Sequence, residues 1–82
     1  MKVYFDCACG KKIEVLTAEG FTSSAVCGVC GRSGVCTLKK KELYFQSDEL
    51  TMKEFEGLGM KKAKVGGLSG SWVKTSNWTS GE

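Results

Sequence analysis

The sequence predicts a small, mainly-β domain whose apolar core is too small to hold it unaided. Three observations support this. The chain has 82 residues, a size at which core burial only narrowly offsets chain entropy and a further staple is usual. All five cysteines fall within the first 36 residues, four of them in two short turns, Cys7-Ala8-Cys9-Gly10 and Cys27-Gly28-Val29-Cys30-Gly31. Between these turns apolar and polar residues alternate, as in Lys12-Ile13-Glu14-Val15, the period of a half-buried strand.

Taken in order, Val3–Asp6 reads as a strand entering the first turn and Lys12–Leu16 as a strand leaving it. Thr17–Ser24 is expected to be a loop anchored by Phe21. Ala25-Val26 leads into the second turn and Gly31–Gly34 out of it. Val35–Gln46 reads as one long strand on β preference, although Lys39-Lys40-Lys41 interrupts it. Thr51-Met52-Lys53-Glu54 has the form of a capping box with Leu50 and Phe55 as its staple, so a helix is expected from about Thr51 to Leu58, ended by Gly57 or Gly59. One or two short strands are expected around Ala63–Val65 and Trp72–Lys74, with a disordered end. The composition shifts near Gln46–Asp48: beyond it there is no cysteine, more Gly, Ser and Thr, and both tryptophans. The expected organisation is a cysteine-bearing unit over 1–46 and a C-terminal extension over 47–82.

The two cysteine turns carry the chemistry. A pair of thiols separated by one or two residues aims both sulfurs at one ion, and a following glycine (Gly10, Gly31) permits the tight backbone this needs. Lys11 and Arg32 follow those glycines and would offset part of a tetrathiolate's negative charge. Two such turns 17 residues apart make Cys7, Cys9, Cys27 and Cys30 the candidate ligands of one structural zinc ion. A rubredoxin-like iron site uses the same thiolate set, and buried or disulfide-bonded cysteines without metal are the remaining alternative. Cys36 reads as a small buried side chain near the start of the long strand.

The run Tyr4-Phe5-Asp6-Cys7-Ala8-Cys9-Gly10-Lys11-Lys12-Ile13-Glu14-Val15, followed after a loop by Val26-Cys27-Gly28-Val29-Cys30-Gly31, resembles the zinc ribbon, a fold built on two zinc knuckles and found in bacterial and phage regulators. The resemblance covers roughly residues 3–46. Its first knuckle has one intervening residue where two are commoner, and no proline follows Cys27. It implies antiparallel strands around one zinc and, in function, docking on larger machines such as polymerases or ribosomes.

A site closed by four side chains leaves no position for water or substrate. The chain has no histidine, which removes the commonest general base and any Cys–His pair, and Gly66-Gly67-Leu68-Ser69-Gly70 lacks the lysine and threonine of a phosphate loop. The expectation is a non-catalytic adaptor with a protein partner, no small-molecule substrate and no membrane. Direct nucleic-acid binding is the alternative, and a cysteine redox protein a remote one. Candidate contacts are Lys11, Lys12 and Arg32 at the knuckles, Lys39, Lys40, Lys41 and Tyr44 on the long strand with Tyr4 and Phe45 as further stacking surfaces, and Trp72 and Trp78 as anchors. Residues 1–47 carry the whole net +3, from seven basic and four acidic residues, while five of each sign balance in the remainder. No run reads as a signal peptide or membrane span, so a reducing, cytoplasmic setting is expected, where disulfides are disfavoured.

Overall fold

A computed structural model describes residues 1–75 and 77–81. Eight strands and one helix follow in the order β1 Lys2–Asp6, β2 Lys12–Leu16, β3 Thr22–Val26, β4 Ser33–Lys39, β5 Glu42–Gln46, α1 Glu49–Glu56, β6 Lys61–Ala63, β7 Trp72–Thr75 and β8 Thr79–Ser80. All strands join one antiparallel sheet in the order β6-β7-β5-β4-β3-β2-β1-β8.

The sheet curls strongly. β1 and β5 are four strand steps apart, about 19 Å in a flat sheet, yet the rings of Phe5 and Phe45 have centroids 5.3 Å apart. This makes a half-barrel whose concave face holds Val3, Phe5, Ile13, Val15, Ala25, Cys36, Leu38, Leu43, Phe45 and Val73, all buried. Helix α1 closes it: Met52 and Phe55 are buried, and Phe55 stacks on Phe45 at 4.8 Å and meets Phe5 at 6.3 Å. Three aromatic rings from β1, β5 and α1 therefore form the centre. Truncating one such buried ring typically costs about 3–5 kcal/mol. This curled, eight-stranded sheet is broader than the ribbon the resemblance implied.

Several local expectations are corrected. Phe21 is no anchor: its ring is 66 % exposed, because its carbonyl turns inward to accept from the hydroxyls of Thr17 and Thr37. The expected loop over Thr17–Ser24 gives way to β3 from Thr22 onward, in register with β4 from Thr22↔Thr37 to Val26↔Ser33. The expected long strand over Val35–Gln46 is a hairpin, with Lys40 (φ 51°) and Lys41 (φ 63°) at its turn. Positive φ at both central residues suits the right-handed twist of a two-residue hairpin loop, but ordinarily Asn or Gly supplies it. The helix N-cap is Asp48, not Thr51: an Asp48 carboxylate oxygen accepts from the Thr51 backbone N–H at 2.9 Å, and the Thr51 hydroxyl donates to the other at 3.1 Å. Leu50 is 76 % exposed and forms no staple, whereas Gly57 does end the helix.

The segment from 47 onward is woven into the sheet. β7 pairs with β5, from Leu43↔Thr75 to Phe45↔Val73, and β6 pairs with β7. β8, where a disordered end was expected, pairs with β1 through Val3↔Ser80 and Tyr4↔Thr79. The Tyr4 ring lies against Gly81, where a Cβ would come within 1.9 Å of it. The strand expected over Ala63–Val65 lies two residues earlier. The 64–71 connection folds back over the convex face, pinned where Gln46 Nε2 donates to the Ser71 carbonyl at 3.0 Å and Lys39 Nζ to that of Gly66 at 2.6 Å. Beneath it Trp72 and Val65 are buried, outside the concave core. Among the described residues no helix is long and apolar enough to cross a membrane.

Candidate metal centre

Both cysteine turns sit at one end of the sheet, the first joining β1 to β2 and the second β3 to β4. They are built alike. In the first, the Cys7 N–H donates to the Lys11 carbonyl at 2.7 Å and the Gly10 N–H to that of Cys7 at 3.0 Å. In the second, the Cys27 N–H donates to the Arg32 carbonyl at 2.8 Å and the Gly31 N–H to that of Cys27 at 3.1 Å. Gly10 (φ 91°) and Gly31 (φ 81°) occupy the left-handed region, where a side chain would be strained.

The four sulfurs of Cys7, Cys9, Cys27 and Cys30 lie within 4.8 Å of one another. Across the two turns, Cys7 Sγ is 3.5 Å from Cys30 Sγ and Cys9 Sγ is 3.6 Å from Cys27 Sγ. Bonded sulfurs would be about 2.05 Å apart, and all five cysteines are free thiols. Zinc bound at about 2.3 Å by a sulfur tetrahedron spaces its ligands about 3.8 Å apart. The cluster can hold one metal ion. Cys7 and Cys27 are buried at the margin of the core, whereas Cys9 and Cys30 are exposed, so an ion here would be half-sunk between protein and solvent.

Backbone amides prepare the sulfurs for charge. The Arg32 N–H and side chain donate to Cys30 and lower its pKa to about 6. The N–H groups of Cys30 and Val29 lower that of Cys27. Cys7 shows the opposite: burial pushes its thiol up to about 12, because desolvation disfavours the thiolate. The charge carried by Arg32 is shared, since its Nε donates to Glu54 Oε2 at 2.6 Å and ties the second turn to α1. That link is not legible in sequence, where Glu54 pairs naturally with Thr51 in a capping box.

An ion at this point would join two hairpins that share a single paired position. β1 and β2 pair at five positions and β3 and β4 at five, but β2 and β3 only at Glu14↔Val26. Cys36, the fifth cysteine, lies apart. It is fully buried opposite Phe45, and burial raises its pKa to about 12, which makes it a packed, unreactive side chain.

The other candidate residues are dispersed. Lys11 is exposed at the first turn, and Lys12 pairs with Asp6 at 2.7 Å. Lys39, Lys40 and Lys41 stand at the opposite end of the sheet, around the β4–β5 turn, with Tyr44 half-buried beside them and its hydroxyl donating to Glu42. Two contacts are corrected by burial: Trp72 (2 % exposed) and Phe45 (0 %) can offer no surface to a partner. Trp78 is half-buried against the core. No protein-family model, curated protein or solved structure matches this chain.

Proposed function

We propose that the four thiolates hold one structural zinc ion in a zinc-ribbon-type centre. On this reading the chain is a non-catalytic binding module that docks on a larger macromolecular assembly. The observation that carries the reading is the closed set of four cysteine sulfurs bridging two hairpins. Four protein ligands saturate zinc and leave no coordination site for water or substrate, so the ion would contribute folding energy and no chemistry. Zinc suits the site better than iron because a structural staple gains nothing from a redox-active ion. The cytoplasmic setting and a protein as the main partner belong to the same reading.

The test is reconstitution. Zinc-loaded protein used as bait should capture a defined component from host lysate, and the purified pair should re-form a complex of fixed stoichiometry. The Cys27→Ser chain, unable to fold, should capture nothing. Failure to re-form any complex from purified components would contradict the adaptor reading. Finding iron with the visible absorption of a ferric tetrathiolate would contradict the zinc assignment.

A further inference from the structure

We propose that the convex face of the sheet beside the β4–β5 turn binds the phosphate backbone of single-stranded nucleic acid. The fold assembles this face from both halves of the chain. Cross-strand register places Lys61 of β6 beside Lys74 of β7, and Lys74 beside Tyr44 of β5. The returning 64–71 connection then sets Lys64, Val65 and Gly66 against Lys39, Lys40 and Tyr44, enclosing a cleft of about 270 Å³. Lys41 completes the turn. Six of the twelve basic residues stand here, with Glu42 and Glu19 as the acidic neighbours, and among the described residues the other six are balanced by six acidic ones. The positive charge is therefore gathered at this face and absent, in net terms, from the rest of the molecule. Such concentration is the electrostatic footprint of a polyanion site.

Two further observations narrow the ligand. Lys40 and Lys41 both hold positive φ, a conformation in which a β-hairpin ordinarily places Asn-Gly. Retaining two lysines at strained positions breaks a local rule, and such exceptions concentrate where side chains have a task. The cleft also contains an aromatic ring, Tyr44, and the apolar Val65 among its lysines, the mixture of stacking surface and cations that accommodates a nucleotide. An anionic bilayer fits less well. The exposed large apolar side chains are Met1, Leu16, Phe21, Val26, Val29, Leu50 and Leu58, none of which lines this cleft.

The inference rests on reading the chain as a binding module but not on the identity of the metal. Its test is titration of a fluorescently labelled oligothymidylate of about 15 nucleotides with metal-loaded full-length protein, followed by anisotropy as salt rises. Binding should weaken with a log–log slope of about −0.7 per phosphate neutralised. Lys61→Glu with Lys64→Glu, both exposed, should weaken binding at least about tenfold at 50 mM salt and flatten the slope by about 1.4. The milder Lys61→Gln with Lys64→Gln should flatten it by the same amount, and serves if charge reversal disturbs folding. Lys53→Glu on α1, one charge reversal placed away from the cleft, should change neither slope nor affinity by more than about twofold. Absence of binding at low salt, equal loss in Lys53→Glu, or tighter binding of polyglutamate or phosphatidylserine vesicles than of the oligonucleotide would overturn the inference. If one zinc per chain and a reconstituted protein complex persisted alongside such a result, the adaptor reading would stand without it.

Discussion

The two ends of the sheet solve the same problem differently. At the cysteine end, two hairpins meet through a single paired position, Glu14↔Val26, and four sulfurs converge across the gap. At the far end, β5, β7 and β6 pair in continuous register and the connection over Trp72 is fastened by Gln46 and Lys39. On the proposed reading one end depends on a bound metal ion, and the other on ordinary burial and hydrogen bonding. The aromatic trio Phe5, Phe45 and Phe55 sits between the two regimes.

The contrast can be broken most severely at the thiolates. Cys27→Ser should abolish the cooperative thermal transition, because metal binding in small zinc domains contributes about 10–16 kcal/mol of apparent free energy, more than a domain of this size has in reserve. Whatever hydrogen-exchange protection survives should lie in β4, β5, β7 and α1, around Phe45. Protection retained in β2 and β3 would mean that the hairpins hold together without the ion.

Next in size is the aromatic centre. Phe55→Ala should cost about 3–5 kcal/mol in denaturant unfolding while leaving one metal per chain, since Phe55 touches no cysteine turn in the contacts that define the trio. Loss of the metal in native buffer, or its release at the lowered denaturant midpoint of the variant, would instead show the two regions to be one unit. A smaller change of opposite sign is expected at the β4–β5 turn. Replacing Lys40 with Asn and Lys41 with Gly relieves two strained backbone positions and should raise stability by about 1–2 kcal/mol. The same variant should weaken oligonucleotide binding, so stability and affinity would move in opposite directions.

The smallest effect belongs to the helix cap. The Thr51 backbone N–H holds the Asp48 carboxyl below its usual range. A group depressed in the folded state stabilises above its unfolded pKa, near 3.9, and that contribution disappears as pH falls through the folded value. Asp48→Ala should therefore lower the melting temperature by a few degrees at pH 7. The gap between variant and wild type should close towards pH 3 and below.

What was legible in the sequence follows from how local its cause is. The cysteine turns could be read because ligand spacing and the left-handed glycines Gly10 and Gly31 lie within a few residues of each other. Alternation exposed β1 and β2 for the same reason. The β4–β5 turn could not be read, because lysine carries no turn signal and only the pairing of its flanks forces positive φ there. Thr79 and Ser80 become a strand because β1 offers an edge, which no neighbour in sequence announces. At the helix start two plausible caps compete, and Asp48 prevails because its carboxylate accepts from both the amide and the hydroxyl of Thr51. The basic face was half visible: Lys39, Lys40 and Lys41 are contiguous, whereas Lys61, Lys64 and Lys74 join them only through register and the returning connection.

The central claim is that four particular sulfurs hold one zinc between two hairpins. Metal content measured by elemental analysis on the purified chain, on Cys9→Ser and on Cys36→Ser tests it most directly. The account predicts one zinc per wild-type chain, loss of tight zinc in Cys9→Ser, and an unchanged single zinc in Cys36→Ser despite the disturbance to the core. A metal-free chain that melts cooperatively, or zinc lost on replacing Cys36 and retained on replacing Cys9, would contradict it.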